Sequence, residues 1–470
     1  MKKISVLFLI LCLFVCLLPV SAEESDIDAS IVNGCNTLDG QVPFLGSEQL
    51  IQNGKSFVLY EGNTDTLMYA DNADTQLPPA SLVKILTALI AIEKGAMTDV
   101  VTVSQDVLST LDPDAMVVEP KLVVGEVVTV EDLLYCMMVA SGNDAAVVLA
   151  DHIMGNQAAF VAEMNRYAAE LGCTGTNFTN VHGLHDKNQY TTARDTARIL
   201  AKAIKNKEFC KIFGAKKYIV PATNKSESRV LTTQNYLMSN DSVIIHYDER
   251  VTGSRTGVAN DGTRSIASVA EVNDMQLICV VMGAKSTYDT DGYTVKVFGG
   301  YNETKQLLDS GFKGLKTAQL LHENQVLLQT VVANGSSDVT VGTKNAVYSV
   351  IPETTDTNSL VYRYVNEVSL TAPVQEGQRV STLQIWCGNI CIAQSDLYAM
   401  SSVLPAGQVF TTEETPVEKG NGLKIILSGV GLILAAALVY VIIRSLVYAN
   451  RLAKKRRQSR RNSRNRRRSR

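Results

Sequence analysis

From Ser81 to Ile92 the chain carries a single charge, Lys84, among residues that are otherwise apolar or small and uncharged. A helix that is apolar on nearly every face has to be buried, so this run predicts a core helix and puts the Lys84 amine in poor solvent, where its charged form is disfavoured. Spacing of i to i+3 sets Lys84 beside Ser81 on one helix face. A serine hydroxyl is a weak nucleophile until a base takes its proton, and a desolvated amine within reach can do so. Ser81 also stands at the helix N-terminus, where free N–H groups favour developing negative charge. Ser-x-x-Lys alone equally describes a helix cap followed by a lysine that snorkels to water.

Two further triplets add to this pair. Thr129-Val-Glu-Asp132 reads as a capping box before an apolar run, predicting a helix from 130 towards Ala140. Ser141-Gly142-Asn143 then breaks the pattern before a second helix at Asp144, so its hydroxyl and amide can project from a loop into a cleft. There Asn143 can donate to a substrate carbonyl and Ser141 can pass a proton to a departing amine. The plainer reading is a turn capped by Asn143. Arg255-Thr256-Gly257 lies between β-type runs, where a cation on a strand edge and a hydroxyl can hold a carboxylate, and the glycine lets backbone approach. A solvated arginine beside a turn is its plainer reading.

The surrounding pattern divides the chain. Phe57–Tyr60 and Leu67–Ala70 read as a hairpin, Thr192-Ala-Arg-Asp195 as a capping box for a helix ending near Ile204, and Tyr301–Leu308 as a closing helix. Between them Val243–His246, Ser265–Val269 and Leu277–Met282 are β-type, so residues 51–315 predict an α+β domain of an antiparallel sheet flanked by helices. Residues 316–404 carry short β-runs with turns at Asn334-Gly335, Glu376-Gly377 and Gly388-Asn389, an all-β module, and 405–424 are a Pro, Gly, Thr and Glu-rich tether.

Both ends point to export and anchoring. Residues 1–22 combine Lys2 and Lys3, an apolar run and Val20-Ser21-Ala22, as a secretory signal does, with 23–50 a polar leader behind it. Ile425–Ile443 is uncharged and long enough to span a bilayer, and the basic tail 444–470 puts the C-terminus in the cytoplasm by the positive-inside rule, leaving the domains outside the cell membrane. That tail holds 13 of the 44 Lys and Arg and no acid; with Lys2 and Lys3 also set aside, 29 bases face 47 acids, which argues against nucleic acid as partner of the exported part. Seven cysteines follow the signal. Their spacings do not suit zinc, and most read as buried or free thiols, with Cys387 and Cys391 spaced to close across a short turn. His182-Gly-Leu-His185 lacks the zincin pattern and reads as a pair of turn histidines.

Taken in this order, the triplets resemble the signatures S-x-x-K, S-x-N and K-T-G of the penicillin-recognising serine enzymes. Pro78-Pro79-Ala80-Ser81, Ala140-Ser141-Gly-Asn143-Asp-Ala-Ala, Thr176-Asn-Phe-Thr-Asn-Val-His182-Gly-Leu and Tyr190-Thr-Thr-Ala-Arg-Asp195 narrow this. They resemble the D-alanyl-D-alanine carboxypeptidases of the low-molecular-weight penicillin-binding protein type. The resemblance implies a β-lactamase/transpeptidase-like catalytic domain and the removal of a terminal D-alanine from peptidoglycan stem peptides ending in D-Ala-D-Ala, with β-lactams as covalent inhibitors and no cofactor. It implies Ser81 as nucleophile, Lys84 as general base, Ser141 as proton relay, Asn143 as amide clamp, Arg255 and Thr256 at the carboxylate, and an oxyanion site at the N–H groups of Ser81 and Val258, the residue after Gly257. Arg255 departs from the family lysine, keeping the charge but changing its geometry. A D,D-endopeptidase, a β-lactamase of the same fold and a weakly catalytic peptidoglycan-binding protein are the alternatives.

Overall fold

The structure is a computed structural model that describes residues 53–407 apart from 114, 240–243, 289, 291–294 and 366–368, together with Leu38, Leu45 and Ile51. The expected signal 1–22, the span Ile425–Ile443 and the tail 444–470 lie outside the described residues, as do most of the leader and the tether. Among the described residues no single helix is long and apolar enough to cross a membrane.

The expected hairpin forms β1 (Ser56–Glu61) and β2 (Thr66–Asp71). With β3 (Val251–Val258), β4 (Arg264–Val272) and β5 (Met275–Ala284) it makes an antiparallel sheet ordered β2-β1-β5-β4-β3. Along β5, Ile278, Val280 and Met282 enter a core shared with the helices, while Leu277, Cys279 and Val281 enter a second one with Tyr301, Leu307 and Leu308. Successive residues of a strand point to opposite faces, so an unbroken apolar run is what a sheet covered on both sides requires.

The apolar run itself is α1 (Val83–Lys94), buried from Val83 to Ala91 with Lys84 included. It does not begin as an α-helix at Ser81: Ala80–Leu82 form a 3-10 turn, with φ of +46° at Ala80 and the Leu82 N–H on Pro79 O at 3.1 Å. The expected box opens α2 (Val130–Val139): Asp132 N–H donates to Thr129 Oγ1 at 3.1 Å and Thr129 N–H to the Asp132 carboxylate at 3.3 Å. α3 (Asn143–Met154) follows, with Gly142 at its cap position. At α4 (Ala193–Ala203) only half the expected box forms. Thr192 Oγ1 accepts from Asp195 N–H at 3.0 Å, but the Asp195 carboxylate turns to Gly175 N–H at 2.9 Å, Thr176 Oγ1 at 2.8 Å and Arg198 Nη1 at 2.7 Å. A cation and two other donors outcompete one local N–H. Ile244–His246, read as part of a strand, is a single 3-10 turn. The buried His246 ring stacks on Tyr301 at 5.1 Å between centroids, so aromatic packing takes the place of a strand partner.

After α5 (Tyr301–Phe312) the chain is β-structured, as expected. β6 (Leu315–Leu321) pairs with β9 (Val347–Pro352), and β7 (Val326–Thr330), β8 (Val339–Gly342), β10 (Val361–Tyr364), β11 (Arg379–Cys387) and β12 (Ile390–Ala399) form a sheet ordered β7-β8-β12-β11-β10. The expected Cys387–Cys391 bridge is not there: Cys387 is a free thiol, and Cys391 is disulfide-bonded to a partner that is not among the described cysteines. Register explains this, because Cys391 opposes Trp386 while Cys387 opposes Ile390, which sends the two side chains to opposite faces of the hairpin.

One buried ion pair supports the segment beside α3. Arg229 donates to both Glu126 oxygens at 2.6 and 2.9 Å and to Pro120 O at 2.6 Å, with both side chains fully buried. Replacing Arg229 with Met leaves a buried carboxylate alone and should cost about 3–5 kcal/mol in denaturant unfolding. The double variant Arg229→Met/Glu126→Leu should recover most of that loss, and an equal loss in both variants contradicts the assignment.

Candidate active site

The 3-10 turn delivers Ser81 to one end of α1, and the next helical turn brings Lys84 beneath it. Lys84 Nζ lies 3.2 Å from Ser81 Oγ and donates to Asn143 Oδ1 at 2.7 Å and to the His182 carbonyl at 2.6 Å. Burial holds its pKa well below the ordinary lysine value of 10.5; the Arg255 charge acts in the same direction and Asp144 opposes both. A neutral amine has two N–H groups and one lone pair. Two carbonyl-type acceptors consume the N–H groups, which leaves the lone pair facing the Ser81 hydroxyl.

Ser141 comes from the break between α2 and α3, where its φ is +63°, a left-handed conformation that costs a non-glycine residue energy. Neighbouring backbone bonds hold it there: Gly142 N–H to Cys136 O at 3.1 Å and Asn143 N–H to Met116 O at 2.7 Å. Buried Asp144 ties the same break to the segment opposite, accepting from the N–H groups of Val118 at 3.1 Å and Leu122 at 3.2 Å. Ser141 Oγ lies 3.5 Å from Ser81 Oγ and accepts from Arg255 Nη2 at 2.6 Å, so its own proton is free to be given away. Asn143, with its oxygen on Lys84, keeps its NH2 for another acceptor.

Arg255 differs from the sequence expectation of an open fork. It is 5% exposed, and besides Ser141 it donates through Nε to Ser81 O at 3.2 Å and through Nη1 to Met138 O at 2.7 Å. Each of its three nitrogens therefore donates once to the protein, which uses three of its five N–H groups. Burial brings its pKa down to about 10, which leaves it charged at neutral pH.

Two glycines close the site from either side. A Cβ on Gly183, whose φ is +93°, would stand 2.0 Å from Ala80 O. One on Gly257 would stand 2.7 Å from Ser81 N, closing the approach to that N–H. His182 is buried and kept neutral, its pKa lowered to about 4 by burial and the Lys84 charge, and its Nδ1 accepts from Leu184 N–H at 3.2 Å. Ser81, Ser141, Asn143, Arg255, Thr256, Gly257 and Val258 all line one cleft of about 460 Å³, with Lys84 behind its wall. Every expected site residue thus converges on one place. The sequence reading missed the His182 carbonyl, Asp144 and, on the cleft wall, Tyr301 and Arg264. A carbonyl carries no sequence signal, but a charge a few residues beyond Arg255-Thr256-Gly257 did offer one.

Residues 46–286 match the family model described as D-alanyl-D-alanine carboxypeptidase, and residues 315–405 that of the penicillin-binding protein 5 C-terminal domain. D-alanyl-D-alanine carboxypeptidase DacC of Escherichia coli is 31% identical over 367 residues, which cover 75% of this chain and 85% of that protein. DacA of Haemophilus influenzae is 32% identical over 361 residues, 75% and 86% of the two. The solved structure of penicillin binding protein 5 from Haemophilus influenzae is similar at a TM-score of 0.63 and 30% identity, covering 75% of this chain and 98% of that one. The expected β-lactamase/transpeptidase-like fold with an all-β domain after it is borne out.

If unprotonated Lys84 activates Ser81, the reaction of Ser81 with an acylating reagent should rise with pH through an ionisation below 10.5. Arg255→Gln removes a positive charge that disfavours protonated Lys84, so it should move that ascending limb to higher pH. A pH–rate series checks this, and a limb that stays put or moves down contradicts the coupling.

Proposed function

The chain belongs to the D-alanyl-D-alanine carboxypeptidase family, and on that premise we propose that it is a serine hydrolase that removes the terminal D-alanine from peptidoglycan stem peptides through a Ser81 acyl-enzyme. The observation that carries this reading is the buried Lys84 amine 3.2 Å from the Ser81 hydroxyl, with both its N–H groups engaged elsewhere.

In this reading Lys84 takes the Ser81 proton as Oγ attacks the carbonyl carbon of the penultimate D-Ala. The oxyanion is stabilised by the N–H groups of Ser81 and Val258, the missing side chain of Gly257 leaving that of Ser81 accessible. Ser141 gives its proton to the departing amine and takes up the one held by Lys84 as the C–N bond breaks and D-alanine leaves, which returns the lysine to its neutral form. Its hydrogen bond from Arg255 orients the hydroxyl so that it donates into the cleft. Asn143 donates to the substrate amide, and Thr256 faces the terminal carboxylate. Water, activated by the same amine, then hydrolyses the ester. A β-lactam acylates Ser81 by the same attack on its ring carbonyl, and no cofactor takes part. We further propose that residues 51–315 form the catalytic domain and 316–404 the all-β domain. Residues 405–424 then tether them to a membrane span at Ile425–Ile443, with both domains outside and the tail in the cytoplasm.

The protein should release D-alanine from diacetyl-Lys-D-Ala-D-Ala and be labelled by fluorescent penicillin, and Ser81→Ala should abolish both. Labelling that survives in Ser81→Ala refutes the nucleophile. Labelling of the wild type without release would instead favour an endopeptidase acting on cross-linked stems.

A further inference from the structure

A carboxypeptidase has to recognise a free chain end, and the cation expected to do so is otherwise engaged. Arg255 is buried, and each of its nitrogens already donates to the protein. A second cation lines the same cleft: Arg264, at the start of β4. In the β3–β4 register Val258 opposes Arg264 and Thr256 opposes Ile266. Residues directly opposite share a sheet face, and so do residues two apart, so Thr256, Val258 and Arg264 lie on one face while Arg255 lies on the other.

The surroundings of Arg264 are those of a cation awaiting an anion. Its Nε is buried without a hydrogen-bond partner, and among the described residues no carboxylate pairs with its guanidinium. Aromatic rings hold it instead, with Cζ 5.8 Å from the Phe298 centroid and 5.4 Å from that of Tyr301. Tyr301 also lines the cleft and touches Thr256. The rings fix the planar group sideways while leaving its N–H edge uncommitted, and the open edge of a guanidinium matches a carboxylate.

We propose that Arg264, together with the Thr256 hydroxyl, takes the terminal carboxylate of the substrate, while Arg255 supplies nearby charge and positions Ser141. This rests on the carboxypeptidase reading. It assigns specificity for the free chain end to the strand next to the one that carries the third triplet.

The test compares diacetyl-Lys-D-Ala-D-Ala with its C-terminal amide, which lacks the negative charge, on the full-length protein and on Arg264→Gln. Losing a charge-assisted hydrogen bond should raise KM for the acid peptide about 10- to 100-fold. The loss on the amide should be far smaller, so that the acid-over-amide preference in kcat/KM collapses. Arg264→Lys, which keeps the charge and the aromatic contact, should restore part of that preference and serves as the test if Arg264→Gln unfolds at lower temperature than wild type. An acid-to-amide ratio that Arg264→Gln leaves at the wild-type value overturns the proposal, as does an equal loss on both peptides. If the wild type releases nothing from either peptide, the carboxypeptidase reading alone fails. Acylation by benzylpenicillin and by its methyl ester then decides the role of Arg264: a loss confined to the acid supports it, and an equal loss overturns it.

Discussion

A lysine amine enclosed in protein must give up either its proton or its isolation, and the rest of the site is arranged around that constraint. Lys84 sits on a helix buried along nine consecutive residues, so water cannot solvate its charge. Two oxygen acceptors and a serine hydroxyl meet it instead. Each comes from a different part of the chain: the Ser81 turn, the start of α3 and the loop at His182. The amine therefore fastens these segments to one another. A net cation nearby, Arg255, makes the proton still harder to keep.

The sheet supplies the opposite wall through β3, which borders the Ser81 turn with a strand whose side chains alternate in role. Arg255 and Gly257 face Ser81, one through hydrogen bonds to Ser81 O and Ser141, the other by having no side chain to obstruct Ser81 N. Thr256 and Val258 turn to the other face, beside Arg264. The strand period thus puts Arg255 and Gly257 on the face of the Ser81 turn and Thr256 and Val258 on that of Arg264.

Much of this was legible in the sequence because local pattern and tertiary demand agree. The uncharged run around Lys84, the box at Thr129 and the unbroken apolar β5 each read correctly, since burial on all sides leaves a compositional mark. What did not read correctly depends on partners distant in sequence. Asp195 forsakes its local cap for Gly175, Thr176 and Arg198. At Ile244–His246 the His246 ring packs on Tyr301 rather than the segment joining a ladder. Cys387 and Cys391 are close along the chain, but strand register sends them to opposite faces. Arg255 looked like an open cation because Met138 O and Ser141 Oγ, its acceptors, are more than a hundred residues away in the chain.

The left-handed backbone at Ala80 and Ser141 carries a thermodynamic consequence. Each such residue holds a conformation about 1–3 kcal/mol above its relaxed one, and the folded protein keeps it there only because the surrounding bonds over-determine it. Glycine at either place would relax the strain in the folded state but enlarge the disorder of the chain before folding and loosen the grip on the two serines. The protein therefore holds part of its folding free energy as tension in the two short turns that aim its hydroxyls. Rigidity at the reaction centre and maximal stability of the fold pull in different directions at these two residues.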